Sequence, residues 1–434
     1  MKTPRFAPIF RSLFFVLLAI PLLNQTSLAS LSRVSVASDG TEANSASNHA
    51  AVSADGSAVA FQSAASNLVS NDTNQQGDVF VHDISTGATS RVSIATDGTL
   101  GNAGSDWPVL SANGRYVAFS SFASNLVPGD NNFAQDIFLR DRVSGTTSRV
   151  SVASDGSEGN AQSALPSISS SGRLIVFYSA ATNLVPNDTN GQQDVFLRDR
   201  QTGLTTRVSI ASDGSEGNGS SDHPVISANG RYVAFASVAT NLAPGDTNGF
   251  SDVFVRDLKT GETTLVSVAT DGALGNNDSS KAYAPAISAD GRYVAFNSLA
   301  TNLVPNDNNG VYNVFPHDRK TGPTRRVSVS SGGIEGNGIS LLGAISGSGQ
   351  EVAFHSFATN LVSNDTNGFA DVFVHYTNGQ TLRLSLTNEG NQALGQSYNP
   401  RLSADGVSVA FESFADNLVE NDTNGTEDIF FIGP

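Results

Sequence analysis

Short apolar runs of four to seven residues, rich in Val, Ile and Phe and punctuated by Gly, Asn and Asp, recur along the chain from residue 33 onward. This is the pattern of strands rather than helices. The clearest copy spans Ser227 to Val268. A Pro-Val-Ile-Ser run leads into an Ala-Asn-Gly turn, followed by Tyr-Val-Ala-Phe, a polar loop, Asp-Val-Phe-Val, a Thr-Gly turn and Val-Ser-Val. The landmark Ser-Ala-Asp/Asn-Gly, or a close variant, recurs at Ser53, Ser111, Ser169, Ser227, Ser288, Ser346 and Ser403, with spacings of 58, 58, 58, 61, 58 and 57 residues. Each copy predicts a four-stranded antiparallel sheet. Such a sheet cannot bury both faces alone, so the copies must stack, and a period of this length made of four strands predicts a propeller blade.

The expected fold is therefore an all-β, seven-bladed β-propeller. After Ser403 the chain supplies three strands, at Arg401–Ser403, Ser408–Phe411 and Asp428–Phe431. The missing fourth is expected from the other end, where Arg33 to Ala37 (RVSVA) matches Arg149–Ala153 and Arg207–Ala211. Pairing of residues 33–37 with 428–431 would close the ring and leave no open sheet edge.

Composition adds a compartment. Lys2, Arg5 and Arg11 precede an apolar stretch from Leu13 to Leu23 and the small residues Ser27-Leu28-Ala29, which reads as an export signal over 1–29. The apolar stretch is shorter than the ~20 residues of a membrane span. A single propeller domain over 30–434, periplasmic or secreted and monomeric, is the expectation. There is no Cys, so no disulfide is available. Net charge is −16, and −19 without the three cations of the leader. That balance disfavours nucleic acid and anionic membranes, since phosphate binding needs clustered Lys and Arg.

The Ser-Ala-Asp/Asn-Gly-Arg-Tyr-Val-Ala-Phe run at Ser111, Ser227 and Ser288, followed by Asp-Val/Ile-Phe-x-x-Asp, resembles the WD-repeat-like motif of TolB-type propellers. That family usually has Ser-Pro-Asp-Gly here; this chain has Ala for Pro and inserts Asn-Leu-Val-Pro-x-Asp-Thr-Asn-Gly. The resemblance covers about 31–434 and implies the propeller fold. The extra N-terminal domain and envelope-complex role of TolB itself are not carried over.

In a propeller the loop between strands two and three shares a face with the loop joining successive blades, so function is expected on that long-loop face. The second-to-third-strand loops repeat one chemistry: Asp188, Asn190 and Asp194; Asp246, Asn248 and Asp252; Asp365, Asn367 and Asp371; Asp422, Asn424 and Asp428. Oxygen ligands at positions 1, 3 and 7 suit a hard cation, so calcium is the candidate cofactor. The pattern is similar to the Asp-x-Asn/Asp-x-x-Gly calcium hairpins of other propellers. Asp-Thr-Asn-Gly is equally a good turn sequence. A turn accounts less well for the second carboxylate, because two anions held close repel unless something neutralises them. Asn313 replaces that carboxylate in the fifth loop, while Gln75 and Phe133 replace the turn Gly in the first two, where strain is expected.

No Gly-x-Ser-x-Gly elbow or His-Glu-x-x-His pair occurs. A catalytic centre should break the repeat symmetry, and the breaks lie around Lys281 and Tyr283 and at Tyr398 and Arg401. The four-residue offset before each landmark Ser gives His49, Trp107, Leu165, His223, Ala284, Leu342 and Asn399, a ring expected at the channel mouth. Side chains of such different kinds in one ring either plug the channel or read a ligand, with Trp107, His49 and His223 as the candidate patch. The sequence thus favours a binding or scaffold module with a protein or glycan partner on the long-loop face. A carbohydrate-active lyase or hydrolase is the alternative.

Overall fold

The computed structural model describes residues 30–281 and 283–434; the leader expected over 1–29 lies outside them. Seven antiparallel sheets follow one another in sequence order as blades of a propeller. The third blade is typical: Ser163–Ile168, Leu174–Ser179, Asp194–Asp199 and Leu204–Arg207, each paired with the next. Ile175, Val176 and Phe177 are all fully buried, because each blade packs on both faces. That is why the strands read as continuous apolar runs rather than as an alternation. The cores lie between neighbouring blades. Ala58, Ala60, Val79 and Val81 of the first blade, for example, pack on Val117, Phe119 and Phe138 of the second.

The ring closes as expected, in a different register. Ser30–Arg33 pairs with Phe430–Gly433, so the closing strand ends at Arg33 instead of beginning there. Only Val34 continues the ladder, donating to Ile429 O at 2.9 Å. The Val-Ser-Val segment turns away because Ser35 is drawn to Asp428 (2.5 Å) and Val36 bridges Glu42. The fifth blade also departs from the repeat. Its fourth strand shrinks to a bridge between His317 and Thr324. Pro316, on the third strand, accepts from Arg325 N at 3.2 Å but has no N–H to return, which cuts the ladder there.

Each repeated motif has a structural task. The landmark Ser227 accepts from Tyr232 N (3.0 Å) and donates to Asn229 Oδ1 (2.7 Å), tying the first turn. The inserted Asn-Leu-Val buries Leu184, and Asn183 donates to Glu158 O at 2.8 Å, lashing the long loop to the preceding blade connection. Around the channel, backbone bonds run from blade to blade and return to the start: Ala54 to Ala112, Ala112 to Ser170, Ser170 to Ala228, Asn229 to Ala289, Ala289 to Gly347, Gly347 to Ala404 and Ala404 to Ala54, at 2.8–3.2 Å. Just inside this belt Val52, Leu110, Ile168 and Ile226 help to line a cavity of about 180 Å³. The tight-turn end of the channel is thus apolar and nearly uniform, and the variable residues lie towards the long-loop face.

Candidate functional site

The Asp-x-Asn loops gather the expected carboxylates around an arginine that the sequence reading left out. In the third blade Asp194 is fully buried at the start of the third strand. Its Oδ1 accepts from Ser209 (2.6 Å) and its Oδ2 from Asn190 Nδ2 (2.9 Å) and Arg207 Nη1 (3.2 Å). The same guanidinium lies 3.6 Å from Asp188 and 2.5 Å from Glu216. Burial pushes Asp188 and Asp194 above the usual carboxylate range, and the positive charge of Arg207 opposes it. Asn190 turns its amide donor, not its oxygen, towards Asp194, while its Oδ1 accepts from Gln192 N at 2.9 Å. The repulsion between paired carboxylates is therefore relieved by the protein's own cation.

Arg383 stands between Asp365 (3.2 Å) and Asp371 (3.1 Å), and Arg33 between Asp422 (3.1 Å) and Asp428 (3.4 Å). Arg91 and Arg149 do the same in the first and second blades, while in the fifth, where Asn313 replaces the second carboxylate, Arg326 pairs with Asp307 (3.3 Å) and Glu335. Acidic groups close enough to hold a metal occur at Glu42, Asp422 and Asp428 and at Asp130, Asp136 and Glu158, each set with its arginine among them. The fourth blade alone has Leu265 at the arginine position, and among the described residues no guanidinium reaches Asp246, Asn248 or Asp252. At the loop tips Gln75 (φ 56°) and Phe133 (φ 55°) adopt the left-handed conformation in place of the turn Gly.

At the channel mouth the ring shares a backbone feature that the sequence did not announce. His49, Trp107, Leu165, His223 and Asn399 all have φ of 50–52°, each at a bulge that shifts the register of the innermost strand. In the fifth blade the left-handed residue is Ser280 (φ 50°) rather than Ala284; since Ser279 pairs with Ser298 as Ser221 does with Ser237, it falls one position earlier than His223. Leu342 keeps an ordinary backbone, followed by Gly343, where a Cβ would meet Pro400 O at 2.3 Å. Left-handed backbone costs a non-glycine residue about 1–2 kcal/mol.

Two of the three patch residues meet. The His49 and Trp107 rings stack at 3.7 Å between centroids, 17° from parallel. Trp107 keeps 36% of its surface exposed. His223 does not join them; it turns to Asp222 (Nδ1 to Oδ1 2.8 Å). Beside the stack lies a buried polar cluster from the seventh blade. Glu412 Oε1 accepts the bulge N–H of His49 (2.8 Å) and Oε2 accepts from Asn399 (2.7 Å). Arg401 donates to Gly343 O (2.6 Å) and Ala50 O (3.3 Å), and Tyr398 lies edge-on to His355 at 6.0 Å. Burial, then the neighbouring charge of Glu412, pushes Glu427 up to about 8. Burial brings His49 and His355 down to about 4, so both imidazoles are neutral at pH 7. Tyr398 and Arg401, expected as breaks in symmetry, belong to this cluster; Lys281 instead pairs with Asp278 at 2.8 Å.

No family model and no curated protein matches this chain. Solved structures do. An oligogalacturonate lyase in complex with manganese superposes with a TM-score of 0.53 at 13% identity, over 94% of this chain and 94% of that one. The β-propeller domain of the Trilobed protease from Pyrococcus furiosus gives 0.53 at 10% identity, over 89% and 93%. TolB from Acinetobacter baumannii gives 0.38 at 15% identity, over 65% of this chain and 56% of that one, so little more than half of that TolB is spanned. What is shared is the fold. TolB propellers are among these neighbours, but at such identity the likeness does not extend to activity.

The sequence reading overlooked Glu412, Glu427 and the loop arginines. A signal for Glu412 was present: its counterparts in the other blades, next to last in the second strand, are Gln62, Ser120, Tyr178, Ala236, Asn297 and His355. That position varies in kind as much as the ring does. The arginines were hidden by distance, since Arg207 lies 13 residues beyond Asp194 on another strand.

Proposed function

We propose that this protein is an exported binding propeller that takes a protein or glycan partner at the channel mouth of its long-loop face. The reading is carried by the His49–Trp107 stack: a partly exposed indole, held on strained backbone and backed by buried carboxyls. Such a platform takes the apolar face of a sugar ring or a partner's side chain. Strained residues concentrated at one site support a role beyond packing. Trp107 is the single tryptophan, so its emission reports this site alone. Titration with oligosaccharides, peptides and envelope extracts is expected to shift that emission, and Trp107→Ala to lose the partner that the wild type retains. Unchanged emission throughout, with every partner kept by the variant, rejects the reading.

A catalytic reading of the same mouth rests on Glu427, whose raised pKa keeps a carboxylic acid protonated near neutrality next to Glu412. Turnover of uronate oligosaccharides by the wild type, lost in Glu427→Gln, would favour a carbohydrate-active enzyme over a binding module.

A further inference from the structure

The fourth blade breaks the arrangement of the other six at one residue. Where Arg33, Arg91, Arg149, Arg207, Arg326 and Arg383 each place a guanidinium beside the first carboxylate of the loop, Leu265 offers a partly buried aliphatic side chain. The acids have not been removed in compensation. Asp246 is only 6% exposed, and its Oδ1 is shut off from solvent with no hydrogen-bond partner among the described residues. Asp252 is fully buried, with Oδ1 accepting from Ser267 (2.6 Å) and Oδ2 from Asn248 (2.8 Å). Orphaned oxygens also occur at Asp188 and Asp365, but those carboxylates have an arginine 3.2–3.6 Å away. Asp278, from the following connection, cannot serve as a counter-charge, and it is already engaged by Ser251 N and Lys281, both at 2.8 Å.

Two buried carboxylates with no cation between them are costly, because each charge loses its hydration and repels the other. The place that an arginine fills elsewhere is left to something small. From this we infer that the fourth blade binds a single hard divalent cation, of calcium's kind, between Asp246 and Asp252. The donors are oxygens, which suits calcium rather than a thiophilic or imidazole-seeking metal. The site is separate from the channel mouth and independent of the function proposed for it.

The test uses the mature protein, stripped with chelator and titrated with calcium by calorimetry, with native mass spectrometry for the stoichiometry. One calcium per chain is expected, with affinity in the ~10⁻⁴–10⁻³ M range of extracellular modules, together with a rise in melting temperature. Leu265→Arg rebuilds the arrangement of the other blades and is expected to bind none and to melt at the same temperature with or without calcium. Should that variant fold poorly, Asp252→Asn is the second probe, since Asn313 occupies this position in the fifth blade; it is expected to weaken binding about tenfold or more. A wild type that binds no calcium overturns the inference, including the case in which the two carboxyls share a proton and stability follows pH alone. Undiminished binding by Leu265→Arg or Asp252→Asn overturns it as well, by moving the ion to another loop.

Discussion

Arg33 and Asp428, 395 residues apart in the chain, meet at 3.4 Å across the seam that closes the ring. The arginine also reaches Glu42 (2.7 Å) and Asp422 (3.1 Å), and its side chain is only 8% exposed. Deleting Leu31 to Ala37 removes both the closing strand and this cation, and opens the edge of Asp428–Gly433. A large drop in melting temperature is expected. Arg33→Ala alone leaves buried carboxylates unpaired and should cost about 3–5 kcal/mol in denaturant unfolding. A deletion variant with an unchanged melting curve would refute the seam.

Removing the arginine from another loop should create a cation dependence. In the second blade the carboxylates of Asp130, Asp136 and Glu158 come within 4.8 Å of one another around Arg149. Arg149→Leu is expected to destabilise the chelated protein and to recover part of the loss in millimolar calcium; ten-fold excess over Kd corresponds to about 1.4 kcal/mol. Melting curves of the variant with and without calcium decide the matter.

Stability should fall as pH rises towards about 8 because of one glutamate. Glu427 has its pKa raised from 4.5 to about 8, so the folded state holds more protons than the unfolded state between those values, and stability declines as pH rises through that window. His49, His355 and His375 are lowered from 6.5 to about 4, so they act in the opposite sense, and only below about pH 6.5. Between about pH 6.5 and 8 the glutamate therefore dominates. Glu427→Gln should flatten the decline there, as measured by urea midpoints between pH 6.5 and 8.

The strained ring has a mutational signature. Leu165 has a φ of 51°, a conformation open to glycine, whereas Val176 is a fully buried residue of the neighbouring strand. Leu165→Gly should cost less than about 1 kcal/mol, since relief of strain offsets the lost side chain. Val176→Gly should cost about 3 kcal/mol or more, as a core truncation with added backbone entropy. Equal losses in chemical denaturation would argue against the left-handed backbone.

The repeat itself, its count, its strands and the need to close the ring were legible in the sequence, because burial on both faces of each blade forces continuous apolar runs and the turns force Gly and Asx at fixed offsets. So were the Asp-x-Asn loops and the variable ring beginning with His49 and Trp107. What those residues do was decided by the tertiary fold. Whether Asp194 meets a metal ion or a guanidinium depends on Arg207, which reaches it across the edge of the sheet from another strand. Whether His49 stacks on Trp107 depends on the bulges that turn both residues on neighbouring blades. The register of the closing strand, set by Ser35 and Arg33 on Asp428, joins residues from the two ends of the chain. In each case the deciding contact spans strands or blades, and its geometry follows from packing and charge pairing that no local pattern records.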